Sequence, residues 1–221
     1  MRRFADFLVL LAVLAAMILL FGMLRDSFFS AATLGTVANR IPALALVATG
    51  MTLVMVTGGI DLSVGSVLGL CGAVVGVMMA DWHWGLSLAL LGSIVVGGAI
   101  GGTTGAVSVK LRLPSFIVSL GMLEMARGLA FLATNSQTKY IGASIESLGA
   151  PFGRLVISPA FIISVLIVVA GQVMLSQMTM GRHWIAIGAN REAALVSGVP
   201  VDRPRILAHA LLGALTGLAA V

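Results

Sequence analysis

A chain of 221 residues, 59% of them hydrophobic and only 10% charged, with a mean hydropathy of +1.12, does not have the polar surface a water-soluble domain needs. Soluble domains carry about 25% charged residues. The net charge of +5 comes from basic residues scattered between apolar runs and not clustered with aromatics, which excludes a nucleic-acid surface.

The apolar residues fall in long runs, and about 20 of them cross a bilayer core as a helix. Met1, Arg2 and Arg3 precede a run from about Phe7 to Leu24, read as a retained first helix because no small-residue cleavage site follows it. A second run covers roughly Leu34 to Thr57. It is followed by Gly58-Gly59-Ile60-Asp61-Leu62-Ser63-Val64-Gly65-Ser66, and a third run continues to about Ala80. Trp82 and Trp84 flank a short interfacial turn. Leu86 to Val109 holds no charged residue and measures about 36 Å as a helix, enough to span with tilt. Pro114 to Thr134 spans next, despite Glu124 and Arg127. A polar stretch from Asn135 to Ser158, with room for a short amphipathic element, separates it from Pro159 to Gln177. Met178 to Arg205 is the longest amphipathic polar segment, and Ile206 to Val221 begins a further helix.

The reading is an all-α, polytopic transmembrane helical bundle with about seven membrane segments in one domain, residues 1–221. The last run stops inside a span, so the chain is expected to be C-terminally incomplete. The 27 glycines suit membrane helices, where small residues let backbones approach closely. Cys71 lies in an apolar run and reads as a small core residue. With the N-terminus cytoplasmic, Arg2, Arg3, Lys110, Arg112, Arg182, Arg191, Arg203 and Arg205 fall inside, and Arg25, Arg40, Lys139 and Arg154 fall outside. That bias fits the positive-inside rule and puts residues 178–205 in the cytoplasm.

Three constellations carry functional expectations. The first is the break from Thr57 to Ser66, with Thr57, Gly58, Gly59, Asp61 and Ser63 as its candidate residues. An ionised Asp61 in hydrocarbon is expensive and must face protein, water or a partner. Asp61 is placed to N-cap the third helix, with Ser63 or Ser66 assisting. The segment is then either a capped turn between helices or a broken helix lining a solute path. The second is Glu124 and Arg127, three residues apart and so on one helix face. They are either a buried, mutually neutralised pair that fixes packing or a polar lining of the path. The third runs from Gly181 to Arg203. Glu192 to Ser197 reads as one or two helical turns capped by Asn190, ended by Gly198 and kept from resuming by Pro200. It is either an interfacial helix on the bilayer or a docking surface for a soluble protein. The Ala193-Ala194 pair and the flanking charges favour docking.

Enzymatic readings fail. There is no Gly-x-x-x-x-Gly-Lys-Ser/Thr loop, so no ATP site of that kind is expected in this chain. His83, His183 and His209 lack metal-ligand spacing, and no metal or cofactor is expected. Ser66 and His209 give no support to an intramembrane serine hydrolase.

The stretch TGGIDLSVGSVLGL, Thr57 to Leu70, resembles the signature of ABC importer permeases for ribose, xylose and galactose. GANREAALVSGVPVDRPRI, Gly188 to Ile206, resembles the EAA-type loop of the same permeases, with Glu192-Ala193-Ala194 and Gly198 as its core. RLPSFIVSLGML, Arg112 to Leu123, and Arg127-Gly128-Leu129 are also similar to that group. The resemblance implies a multi-pass subunit of the bacterial inner membrane that moves a monosaccharide or related polar solute inward. Its partners would be two ATP-binding subunits, a second permease copy or a related permease, and a periplasmic or lipid-anchored sugar-binding protein. Residues 178–205 would be the cytoplasmic coupling loop, with Arg191, Glu192, Ala193, Ala194 and Gly198 engaging the ATP-binding subunit. A permease for branched-chain amino acids and a proton-coupled carrier using Asp61 or Glu124 are the alternatives. Family members carry further helices after the coupling loop, roughly a third of the protein beyond this chain's end.

Overall fold

The structure is a computed structural model that describes residues 2–142 and 158–221. The polar stretch expected from Asn135 to Ser158 lies mostly outside the described residues. Among the described residues there are helices and no strand. They are α1 (Arg2–Leu24), α2 (Ala31–Val56), α3 (Val64–Ala80), α4 (Leu86–Lys110), α5 (Ser115–Thr134), α6 (Pro159–Gln177), α7 (Thr179–Ala189), α8 (Arg191–Val196) and α9 (Asp202–Ala219). Helices α2, α4, α5 and α6 are long and apolar enough to cross a bilayer, and α3 and the Val9–Leu24 part of α1 are shorter apolar helices. The chain is thus a multi-pass helical membrane protein.

The centre of the bundle is the contact between α4 and α9, and glycine spacing produces it. Gly97, Gly101 and Gly105 recur every four residues on α4, so they share one face. A Cβ at Gly97 would overlap the Gly213 carbonyl, and one at Gly101 would overlap the His209 carbonyl. A Cβ at Gly105 would stand 2.9 Å from Ile206 Cα. From the other side, Gly213 lies against the Gly97 carbonyl and Gly217 against that of Ser93. Ser93 Oγ donates across the contact to the Gly217 carbonyl, 2.6 Å. Without a hydrophobic force between helices in lipid, such backbone proximity and interhelical hydrogen bonding supply the association.

The remaining helices assemble around this pair. Helix α2 packs on α9 at Gly50, whose Cβ would stand 2.8 Å from Leu212 Cα. Helix α6 reaches α2 where Gly171 faces Thr49. Helix α3 lies between α4 and α5, burying Val67, Leu70 and Cys71 with Ala126 of α5. Cys71 is fully buried, its thiol 3.5 Å from the Ser93 carbonyl. At one end of the bundle Lys139 pairs with Asp81 at 2.7 Å. The Thr57–Ser63 break, the α4–α5 turn and the α7–α8 region gather at the other end.

Two boundaries differ from expectation. Thr179–Ala189 is helical within the segment read as amphipathic, with Gly181, Trp184 and Ile187, three residues apart, forming its buried stripe. Helix α9 starts at Asp202 and not at Ile206, because Pro204 falls in the first turn, where its missing N–H costs nothing.

Candidate functional site

The break between α2 and α3 is a built structure. Helix α2 ends at Val56, and Thr57 Oγ1 donates to the Val54 carbonyl at 2.7 Å. Gly58 takes φ +77°, a left-handed conformation that glycine adopts without a Cβ penalty. The N–H of Gly58 donates to the Met55 carbonyl, 2.9 Å, and that of Gly59 to the Val54 carbonyl, 3.1 Å, which closes the helix end. The chain then runs without helical structure to Ser63. Two hydroxyls one turn apart on α5 hold this piece. The N–H of Ile60 donates to Ser115 Oγ at 2.9 Å and that of Leu62 to Ser119 Oγ at 3.0 Å.

Asp61 is 3% exposed. Its Oδ1 accepts the Ser63 N–H at 2.8 Å and the Ser63 hydroxyl at 2.6 Å. The expected cap is therefore corrected. Ser63, with φ −80° and ψ −12°, is the residue before α3 and makes no side-chain cap. Asp61 folds the chain onto Ser63 two residues ahead of the helix, and the short reach of its side chain favours this local bond. The residues around Asp61 include Gly101, Leu212, Gly213 and Thr216, about a cavity of only about 10 Å³, too small for a solute. Thr57, Gly59, Asp61 and Ser63 are buried, and Gly58 is exposed.

Removing both hydroxyls of α5 tests how firmly the break is held. Ser115→Ala with Ser119→Ala leaves two backbone N–H groups without partners, at roughly 1–3 kcal/mol each. The double variant is expected to unfold several degrees lower in a thermal scan in detergent, with each single variant near half the shift. A double variant as stable as the parent would show that these bonds do not hold the segment.

Glu124 and Arg127 do pair, Arg127 Nη1 donating to Glu124 Oε1 at 3.4 Å. The pair is not buried, however: the side chains are 68% and 57% exposed. They lie on the outward face of α5 because Ser115, Ser119, Met122 and Ala126 take the inward one. Asp61 and this pair are not brought together. Leu62, next to Asp61, shares with Arg127 a groove of about 440 Å³ between α3 and α5, lined also by Gly65, Ser66, Gly69 and Phe131.

The α7–α8 elbow is the second built feature. Trp184 is fully buried, and its Nε1 donates to the Pro204 carbonyl at 2.8 Å, tying α7 to the start of α9. Asn190 Oδ1 accepts the Ala193 N–H at 3.0 Å, the cap that starts α8. Ala194 is buried with Ile187 and Val201. Gly198 has φ +78°, and the N–H of Val199 donates to the Ala194 carbonyl at 3.0 Å, which ends the helix. Arg191, Glu192, Ala193 and Leu195 are exposed, and Val196 is 90% exposed. Arg191 and Asp202 approach at 3.9 Å, both well exposed, a weak tether.

The two sequence features meet in space. A Cβ on Gly188, two residues before α8's cap, would overlap the Val56 carbonyl and stand 3.4 Å from the Gly58 N–H nitrogen. The end of α7 thus rests directly on the end of α2. Nothing in local sequence signalled this contact, nor the Ser115 and Ser119 bonds, which join residues more than 50 apart.

His209 is buried and gives Nδ1 to the Arg205 carbonyl, 2.9 Å, within its own helix. Among the described residues no three His, Cys, Asp or Glu side chains converge to hold a metal.

The chain is thus a helical bundle joined through glycine faces, with a pinned break between α2 and α3 and a short exposed helix beside it. Residues 33–221 match the family described as branched-chain amino acid transport system / permease component, and the chain belongs to that family. Among its relatives, the autoinducer 2 import system permease protein LsrC of Enterobacter sp. (strain 638) is 34% identical over 221 residues, covering 100% of this chain and 63% of the relative. LsrC of Yersinia enterocolitica serotype O:8 is 35% identical over 213 residues, 96% of this chain and 58% of the relative. The ribose import permease protein RbsC of Escherichia coli K12 is 33% identical over 218 residues, 96% of this chain and 67% of the relative. The chain therefore spans about three fifths to two thirds of the length of these relatives. No solved structure matches it.

Proposed function

We propose that this chain is part of the membrane-spanning permease of an ATP-driven importer, and that it conducts a monosaccharide or a related small polar solute into the cytoplasm. The observation that carries the reading is the seat of the α7–α8 elbow on the α2–α3 break. Helix α8 offers Arg191, Glu192 and Ala193 to a soluble partner, with Ala194 holding it to the chain and Gly198 closing it. Through Gly188, which lies against Val56 and Gly58, its displacement is passed to the start of the break. A partner whose two states contact α8 differently thereby biases the break, and without such differential contact no coupling follows.

In this reading ATP is hydrolysed on two separate partner subunits, not on this chain. A second permease subunit completes the path, and a sugar-binding protein delivers the solute on the far side. The N-terminus and residues 178–205 are cytoplasmic, as the excess of basic residues at that end supports. Thr57, Gly58, Gly59, Asp61 and Ser63 form the moving break, and Glu124 and Arg127 lie toward the path. Relatives named for autoinducer 2 and ribose favour a sugar-like solute. The family description favours a second reading, import of a branched-chain amino acid.

Uptake into proteoliposomes holding the assembled importer separates these readings. Accumulation of ribose that requires internal ATP and survives a proton uncoupler is expected. Accumulation of leucine but not ribose would select the second reading, and loss of uptake with uncoupler while ATP persists would reject both.

A further inference from the structure

The buried carboxylate of Asp61 is not balanced by a protein cation. Among the described residues no Lys, Arg or His forms an ion pair with it. Both hydrogen bonds it accepts, from the Ser63 N–H and the Ser63 hydroxyl, end on Oδ1, and no described donor reaches Oδ2. His209 lies on the face of α9 that also carries Gly213 and Thr216, but it turns Nδ1 to the Arg205 carbonyl. Two bonds on one oxygen do not offset the desolvation of a full charge, which calls for a counter-charge.

The space beside Asp61 has the size of one small ion. Its volume, about 10 Å³, is that of a single water-sized sphere. Asp61 and Ser63 line it from the break, Gly101 from α4, and Gly213 and Thr216 from α9. A Cβ on Gly101 would overlap the His209 carbonyl and one on Gly213 the Gly97 carbonyl, so backbone already in contact closes this side. The polar side chains offer lone pairs and no proton. The Ser63 hydroxyl donates to Asp61 Oδ1 at 2.6 Å, and the fully buried Thr216 hydroxyl donates to the Leu212 carbonyl at 2.8 Å. A hydroxyl has one hydrogen, so both oxygens are left only as acceptors.

We propose that this cavity binds one sodium ion, held by Asp61 with the hydroxyl oxygens of Ser63 and Thr216. An all-oxygen lining without donors suits a hard cation and not a metal that prefers imidazole or thiolate. One carboxylate balances one positive charge. Calcium requires more oxygens than the lining has, and magnesium keeps waters for which there is no room. Potassium is larger than the space favours. The ion ties the α2–α3 break to the α4–α9 pair and so holds the break in this conformation. The site depends on these contacts alone and not on the importer reading.

Sodium binding to the purified full chain in detergent tests this, with choline chloride keeping ionic strength constant. Saturable binding of radioactive sodium is expected, at about one ion per chain. Saturating sodium should raise the thermal unfolding midpoint by about 5 °C over choline, with potassium giving less. Asp61→Asn keeps the shape and removes the charge, and it is expected to weaken sodium binding at least about tenfold and to lose the thermal shift. Thr216→Val removes one oxygen and should weaken binding about fivefold. Asp26→Asn, at an exposed carboxylate in the α1–α2 turn, should bind as the parent does.

No saturable binding to the folded parent chain would overturn the proposal. Equal stabilisation by sodium, potassium and choline would do the same, as would parent-like binding in Asp61→Asn. A midpoint raised by acid and indifferent to sodium would put a proton on Asp61 in place of the ion, and that too overturns it. Should Asp61→Asn fail to fold, the parent stoichiometry and Thr216→Val decide.

Discussion

Gly101→Leu is expected to leave almost no folded protein. Helix α9 passes so near that even a methyl group on Gly101 would overlap the His209 carbonyl and stand 3.1 Å from the Gly213 N–H nitrogen. These neighbours are backbone, so no side-chain rotation relieves the contact. An alanine should cost about 1–3 kcal/mol, the usual range for overpacking, and leucine considerably more. The adjacent Gly102 provides the contrast. Its Cβ would meet only the Ala210 methyl at an ordinary 3.7 Å, so Gly102→Ala should be tolerated. Monodispersity on size-exclusion chromatography and thermal unfolding in detergent check both. Folded, monodisperse Gly101→Leu protein would mean that the α4–α9 contact is not the centre of the fold.

Val196→Asp is expected to spare the fold and abolish coupled uptake. Val196 is 90% exposed at the end of α8, and Leu195 beside it is 58% exposed. Neither residue is among those buried with Ala194, Ile187 and Val201, so a charge at Val196 costs the isolated chain little. Against a partner cleft the same carboxylate must be desolvated without a counter-ion. Loss of a central interface contact costs about 2 kcal/mol or more, so uptake should fall by a factor of about 30 or more. Membrane abundance and thermal stability should match the parent. Ala194→Asp makes the complementary control. It buries the charge inside the elbow, and it should lower stability as well as uptake.

The parts readable from sequence were those that local chemistry decides. Gly58 and Gly198 both take the left-handed φ their turns require, and Asn190 caps α8 through its own side chain. The spacing of Glu124 and Arg127 gave their pairing but not their exposure, because helical periodicity does not say which face meets the rest of the bundle. The glycine content pointed to close helix packing, but it marked neither Gly97, Gly101 and Gly105 as the packing face nor α9, over 100 residues away, as the partner. Ser115 and Ser119 looked like ordinary helix residues, and their role depends on a segment that folds back beside them. Asp61 had enough local signal to mark the helix start. The competition between capping α3 and bonding Ser63 turned on backbone geometry that composition does not reveal.

The coupling of α8 to the break is tested most directly by measuring ATP hydrolysis and solute uptake together, in proteoliposomes holding the assembled importer with either the parent chain or Val196→Asp. With the parent chain, uptake should rise in proportion to ATP consumed. With the variant, uptake per ATP should collapse although the complex remains in the membrane. An unchanged ratio of solute to ATP in the variant would contradict energy transfer through α8.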